Sequence, residues 1–444
     1  MIRSNYIKVI LCFFVIFQSF GQSKFVLQKG KYEKINFELI NNLIVIPVEV
    51  NGVELSFLLD TGVSKPIIFN FLNLTEELQI NQTERIFLRG LGEGESVEAL
   101  KSRNNIFKIG NAINVNQDLF AVFDPDMNFA PRLGVPIHGI IGYDLMKDFV
   151  IEVNYSKKIM KLYDSKLYEY KKCRRCRTLN LDFFNNKPYI KGDVEIREGR
   201  VPVKLLIDSG GSDGLWLFED DNKGIIIPEK TFDDFLGKGL SGSVYGKRAK
   251  VNAFYLDDFK LHDVNVAFPD STSISYARKF KERSGSLSGE VLKRFNIIYD
   301  YGNGKITLKK NRFFSNSFYY NKSGITLEHD GVRVIKTLNK KLDAGSFDSN
   351  NSSVSTHGIV LAGSYEYSLA PSFKIVELRI DSPAHKAGLK LGDVILNINN
   401  KHAHKYSMQD IMQMFCDKEG KRIKLLVDRE GKQMPFTFKL ENLL

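Results

Sequence analysis

The sequence predicts a mainly β protein: two homologous β lobes forming one bilobal unit, followed by a smaller α+β domain. Three observations carry that expectation. The stretch FLLDTGVS at residues 57–64 recurs in its residue types as LLIDSGGS at residues 205–212. The text around the two stretches repeats as well, over a period far too long for a solenoid. From about Ser323 the repeat stops and a different order of strands and short helices begins.

The chain opens with a segment that stands apart from the lobes. In MIRSNYIKVILCFFVIFQSFGQ, Arg3 and Lys8 precede an apolar run from Val9 to Phe17, and small residues follow at Ser19 and Gly21. This is the pattern of a signal peptide over residues 1–21. The run is too short to span a bilayer comfortably, and Cys12 lacks the small residues that precede a lipid-attachment cysteine. An exported protein, periplasmic or secreted, is expected, with no transmembrane segment. Its 444 residues suggest two or three domains. With 43% hydrophobic and 26% charged residues it can bury a sizeable core. The formal net charge is +11. The Lys and Arg residues are scattered, however, and no nucleic-acid module accompanies them, so nucleic acid is not an expected partner.

The first lobe is expected over residues 22–168 and the second over 169–315. Each begins with β-rich runs broken by turns, NNLIVIPVEVNGVELSFLLD and KPYIKGDVEIREGRVPVKLLID. Asp60 is followed by GLGEG (90–94) and then GIIGYDLMKDFVIEVNYSKKIMKL. Asp208 is followed by GLSGS (239–243) and then GSLSGEVLKRFNIIYDYGNGKITL. The spacings agree: Gly90 lies 30 residues after Asp60, and Gly239 lies 31 after Asp208. Each second segment reads as a short helix and then a hairpin. Between the lobes, KKCRRCR places Cys173 and Cys176 where a local disulfide or two free thiols are expected. Cys416 is too far downstream to complete a zinc site with them. His402 and His404 read as a surface loop. No metal or cofactor is expected.

Residues 316–444 form the third unit, with a Ser/Asn/Gly-rich flexible insertion expected at 340–372. After it, IVELRIDSPAHKAGLKLGDVILNINNK resembles a PDZ domain. The resemblance rests on a strand, Ser382-Pro383-Ala384 opening a short helix, Ala387-Gly388-Leu389, and Gly392-Asp393 entering an apolar strand. The helix SMQDIMQMF and the strand RIKLLVDREGK complete it. It implies that peptide segments or C-termini add to a strand edge beside a helix. It places Gly324, Ile325, Thr326 and Leu327 in the peptide-binding loop and strand, with residues 407–415 as the other wall. The stretch SLAPS is a second candidate for the loop.

The repeated Asp turns carry the chemistry. Residues 57–59 and 205–207 are apolar strand ends that push Asp60 and Asp208 out of the sheet. Thr61 and Ser209 can hydrogen-bond across a junction. Gly62 and Gly210 permit a tight turn. Ser64 and Ser212 can donate to the outer carboxylate oxygens. Two facing carboxylates cannot both ionise, so they share a proton. One then accepts a proton from water while the other donates to a carbonyl oxygen.

These motifs resemble those of aspartic proteases. DTGxS, the later Ile140-Ile141-Gly142 and the glycine-rich hairpin between them match the retropepsin-like plan, and two lobes in one chain resemble the pepsin-like arrangement. The resemblance implies an acid-protease fold with Asp60 and Asp208 as the catalytic dyad, and peptide or protein substrates. It implies flaps at Gly90, Leu91, Gly92 and at Gly239, Leu240, Ser241. In the second lobe Leu287-Ser288-Gly289 stands as the counterpart of Ile140-Ile141-Gly142, with Ser where an apolar residue is expected. The expected function is an exported aspartic endopeptidase whose PDZ domain recruits or positions substrate. The alternative is a non-catalytic peptide-binding adaptor that uses the PDZ groove on a protease-like scaffold. The C-terminal unit is expected to fold separately, so that a chain ending near Arg312 still cleaves short peptides but loses efficiency on proteins.

Overall fold

In the first lobe, strands Leu43–Val50 and Val53–Leu59 pair antiparallel across the turn at Asn51-Gly52. The strand Gly139–Ile141 returns parallel to the end of Val53–Leu59 and antiparallel to Ile67–Ile68. The second lobe repeats this order. Lys187–Ile196 pairs with Gly199–Asp208, and Gly285–Ser288 runs parallel to the latter and antiparallel to Leu215–Leu217. The computed structural model describes residues 23–69, 78–80, 82–124, 127–197, 199–339 and 364–444. The expected signal peptide lies outside them, as do residues 340–363 of the expected insertion. Residues 364–372 of that insertion belong to the strand Ser364–Leu378.

The two lobes share one register. Gly139 faces Phe57, three residues before Asp60, and Gly285 faces Leu205, three before Asp208. The counterpart of Ile140-Ile141-Gly142 is therefore Ser286-Leu287-Ser288, one residue earlier than Leu287-Ser288-Gly289. Matching glycine to glycine misplaces it because the glycine has moved. A Cβ on Gly142 would collide with the backbone oxygens of Asp60 and Val63. In the second lobe Val63 is replaced by Gly211, which leaves room for Ser288: a Cβ on Gly211 would meet the Ser288 hydroxyl. Side chain and glycine have exchanged sides of the same contact.

Beneath the lobes lies a six-stranded sheet with the same pseudo-two-fold symmetry. Phe149–Asn154 and Phe295–Asp300 pair antiparallel at its centre. Ile159–Asp164 and Tyr32–Asn36 extend it on one side, Lys305–Lys310 and Cys176–Asn180 on the other. One hydrophobic core runs through both lobes and this sheet, and includes Ile151, Phe295 and Ile297. Cys173 and Cys176 form a disulfide where the second lobe begins, and Cys416 is a free thiol.

The C-terminal sheet has the order Ile325–Asn339, Ser364–Leu378, Val394–Ile398, Arg422–Arg429, Lys432–Lys439. The helix Met408–Phe415 starts at a capping box, Ser407 with Asp410. It buries Met408, Ile411 and Phe415, one apolar face, in a core separate from that of the lobes.

This domain is not detached from the lobes. The connecting residues Phe313, Phe314 and Phe318 pack into the second lobe. Arg294, 1% exposed, lies 3.5 Å from the centre of the Phe318 ring. Its guanidinium donates to the carbonyls of Phe313, Phe314, Asn316 and Ser317. On the first lobe, Arg132 pairs with Glu328 at 2.5 Å and with Glu377 at 3.7 Å. The same guanidinium stacks 4.4 Å over Phe235 of the second lobe. Arg379 covers Phe232 of the second lobe at 4.2 Å. The C-terminal domain thus has its own core and is also docked on both lobes. Replacing Arg294 with Met removes a donor from these four carbonyls and from that of Glu290, of which Phe313's keeps Asn316 N. Urea unfolding is expected to show a loss of about 3 kcal/mol. A chain ending at Arg312, which also removes Phe318, is expected to be at least as unstable.

Candidate active site

Each Asp leaves its strand where the sheet is most buried. Phe57, Leu59, Leu205 and Ile207 are 0–1% exposed. Immediately beyond, the lobes meet through a reciprocal set of hydrogen bonds. Thr61 Oγ1 donates to the carbonyl of Ile207 at 2.6 Å and accepts from Ser209 N at 3.0 Å. Ser209 Oγ donates to the carbonyl of Leu59 at 2.7 Å and accepts from Thr61 N at 3.0 Å. Both hydroxyls are used as donor and acceptor at once, and both residues are buried.

This junction sets the two carboxyls face to face. Gly62 N donates to Asp60 Oδ1 at 2.7 Å. A Cβ on Gly62 would lie 3.1 Å from Asp60 Oδ1 and 3.5 Å from Asp208 Oδ1, so both carboxyls reach the same spot. Gly210 comes so close that a Cβ there would overlap the Asp60 carboxylate. Burial, and then the charge of Asp208, push the Asp60 carboxyl up to about 7; the N–H groups of Gly62 and Gly210 and the Lys187 ammonium oppose the rise. Asp208 is also raised by burial, but Arg283 and Lys187 pull it back, together with the N–H groups of Gly210 and Gly211. As whole residues Asp60 and Asp208 are each half-buried. Lys187 and Arg283 did not stand out in the sequence. The internal repeat held the signal: the asparagine pair before Lys187 matches the pair before Leu43, so a cation replaces a leucine.

The serines that end the motifs have a different role from the expected one. Ser64 Oγ donates to the carbonyl of Asn185 at 3.0 Å rather than to its own lobe's carboxylate. Ser212 is exposed, and its backbone oxygen accepts from Asn42 Nδ2 at 2.7 Å. Asn41-Asn42 and Asn185-Asn186 are matching hairpin turns, all four residues left-handed with φ between 47° and 69°. Each turn thus reaches across and braces the Asp turn of the opposite lobe.

The glycine-rich turns meet above the cleft. The first sits between strands Thr83–Leu88 and Val97–Ile109, the second between Phe232–Gly239 and Gly242–Leu256. Ser241 N donates to the Leu91 carbonyl at 2.9 Å, and Gly94 N to the Ser241 carbonyl at 2.7 Å. Gly90 N donates to Ser241 Oγ at 3.1 Å, and Gly92 N to the Ser273 carbonyl at 3.0 Å. Gly90, Gly92 and Gly239 allow this approach: a Cβ on any of them would overlap the facing turn. The tip leucines cross over. Leu240 packs against a buried cluster of the first lobe that includes Ile67 and Ile137, and Leu91 against Phe218 and Ile274 of the second. A cavity of about 920 Å³ opens beside the joined tips, lined by Gly94, Val97, Met127, Leu240 and Ser243 among others. Neither Asp60 nor Asp208 lines it, so it does not contain the carboxyl pair.

In the C-terminal domain, Gly324 precedes and Ile325, Thr326 and Leu327 begin the edge strand of the sheet. The helix Met408–Phe415 lies alongside that strand. The loop N–H groups already have acceptors. Ser323 N and Gly324 N donate to Asn321 Oδ1, and Ile325 N donates to Ser323 Oγ. Farther along, the first lobe reaches the same place. Gln409 Nε2 donates to the Leu133 carbonyl at 2.8 Å, and Gly134 lies against His329 and Met408. His402 and His404 stack on each other, with His402 also bonded to Asn397.

A family model described as an aspartyl protease matches residues 46–145, from within strand Leu43–Val50 to the helix after Gly142. A second, described as a PDZ domain, matches residues 374–429. A search of curated proteins finds no match to the chain. The match over the first lobe, together with the same strand order and register in the second, shows a chain that carries an aspartyl protease domain with a PDZ domain at its C-terminus.

Proposed function

We propose that the protein is an exported aspartic endopeptidase in which Asp60 and Asp208 activate water for peptide-bond hydrolysis. The observation that carries this reading is the pair of carboxyls brought together by the Thr61–Ser209 junction beneath two flap tips. Asp60, raised to about 7, keeps the shared proton near neutrality. Asp208, on which Arg283 also acts, is the ionised partner. It takes a proton from a water lying between the two. The hydroxide so formed attacks the peptide carbonyl as Asp60 gives its proton to the carbonyl oxygen. The resulting gem-diol collapses, Asp208 returns the proton to the leaving nitrogen, and Asp60 recovers its own. Export rests on the N-terminal sequence pattern; among the described residues no helix is long and apolar enough to cross a membrane.

The PDZ domain, in this reading, positions substrate through the second flap. Phe232 and Phe235 lie on the strand that carries that flap, and Arg379 and Arg132 cover them. A peptide adding to the edge strand at residues 325–329 competes with residues 132–134 for the same place.

Asp60→Asn and Asp208→Asn are each expected to lower kcat/KM by about a thousandfold or more, with the double variant scarcely worse, because the two act as a unit. Cleavage of a fluorogenic peptide library by all four proteins tests this, and substantial activity in either single variant would refute the shared mechanism. The pH profile is expected to be bell-shaped, with apparent values that belong to the pair, and to fall on the alkaline side near 7 as the shared proton is lost. Stability follows the same group. Raised Asp60 favours the folded state when protonated, and that contribution is lost as pH rises from the ordinary carboxylate range through about 7. Asp60→Asn is therefore expected to match the wild type in Tm near pH 4 and to exceed it by a few degrees at pH 8. An unchanged Tm difference across that window would count against a buried, raised carboxyl.

A further inference from the structure

The pseudo-two-fold axis allows the two walls of the cleft to be compared residue by residue. Beside Asp60 the wall is apolar: Leu43 and Ile137 belong to a buried cluster against which Val63, Ile140 and the flap leucine Leu240 pack. The shared register gives each a counterpart beside Asp208. Val45 and Tyr189 face Leu58 and Leu206, so Leu43 corresponds to Lys187. His138 N donates to the Ser56 carbonyl and Ser284 N to the Lys204 carbonyl, both at 2.8 Å, so Ile137 corresponds to Arg283. Ile140 corresponds to Ser286 and Val63 to Gly211. Four apolar residues in one lobe are thus Lys, Arg, Ser and Gly in the other.

We propose that the wall beside Asp208 is a subsite for a substrate carboxylate, held by Lys187 and Arg283, while the wall beside Asp60 takes an apolar side chain. This rests on the peptidase reading and adds its substrate class: peptides with an acidic group on one side of the scissile bond and an apolar residue on the other. Arg283 is only 7% exposed, and its side chain is fixed by bonds to the Gly285 carbonyl at 3.1 Å and to Ser286 Oγ at 2.7 Å. Those acceptors are neutral. Among the described residues neither Arg283 nor Lys187 has a carboxylate within 4.0 Å. The anions that act on Lys187 are Asp60 and Asp208, and Asp208 acts on Arg283. A buried cation without a close counter-ion is costly, and an incoming carboxylate removes that cost only when substrate is present. Arg283 also lines a hollow of about 320 Å³ together with Lys223, Arg278 and Lys281. Its one acidic lining residue, Asp220, is paired with Lys223 at 3.5 Å.

The carboxylate can come from an Asp or Glu side chain or from the end of a peptide chain. Peptides with Glu, Gln or Leu next to an apolar residue, each made with an amidated and a free C-terminus, separate the two sources. Cleavage by the full-length protein and binding to its Asp60→Asn form, read by fluorescence anisotropy, are measured together. The Glu peptide is expected to exceed its Gln twin by about tenfold or more in kcat/KM and in affinity. Lys187→Met is expected to abolish that ratio and Lys187→Arg to keep it. A preference confined to free C-termini assigns the carboxylate to the chain end and still supports the subsite. Loss of a cation also raises the dyad, so Lys187→Met is expected to shift the alkaline limb upward for every substrate. If that shift occurs while the Glu-to-Gln ratio stays at its wild-type value, the proposal is overturned and the cations serve the dyad alone. Glu-selective, Lys187-dependent binding without any cleavage would support the subsite and remove the peptidase reading; cleavage with no Glu preference would do the reverse.

Discussion

Four hydrogen bonds between Thr61 and Ser209 and the backbones of Leu59, Ile207 and each other hold the two lobes together where Asp60 and Asp208 face each other. Each bond alone is worth only about 1 kcal/mol net. Their importance is geometric. Both hydroxyls are buried, so any shift of one lobe against the other leaves polar groups unsatisfied where water cannot replace them. The shared register around Asp60 and Asp208, the central pairing of Phe149–Asn154 with Phe295–Asp300 and the bracing by the asparagine turns all converge on keeping that junction aligned.

Around this symmetric centre the two lobes have diverged in complementary ways. Val63 with Gly142 in one lobe becomes Gly211 with Ser288 in the other, so each contact keeps its volume while its owner changes. Asp148 and Arg294 occupy matching positions just before Phe149 and Phe295. Asp148 accepts from Phe25 N at 2.8 Å, which ties down the chain entering the first lobe. Arg294 donates to the carbonyls of the chain leaving the second. One position, with opposite polarity, anchors both ends of the duplicated unit.

Much of this was legible in the sequence because duplication writes each signal twice. The Asp turns, the glycine-rich turns and the strand order of both lobes could be read from paired spacings, and the PDZ pattern from its own punctuation by Ser382-Pro383, Gly388 and Gly392-Asp393. What was not legible depended on contacts between distant residues. Ser288 in place of glycine makes sense only with Gly211 beside it. Ser64 reads as a carboxylate partner until Asn185 is seen to reach it from the other lobe. Arg132, Arg294 and Arg379 look like ordinary surface charges in a strongly basic chain. Their stacking on Phe235, Phe318 and Phe232 joins the three units into one body, and no local pattern announces it.

The crossed flap tips have a mechanical consequence. Leu91 is seated in the second lobe and Leu240 in the first, and the two turns are bonded to each other between those seats. Lifting either turn alone breaks its own leucine seat and also the bonds that join it to the other, so the two are coupled like the interlocked hooks of a clasp.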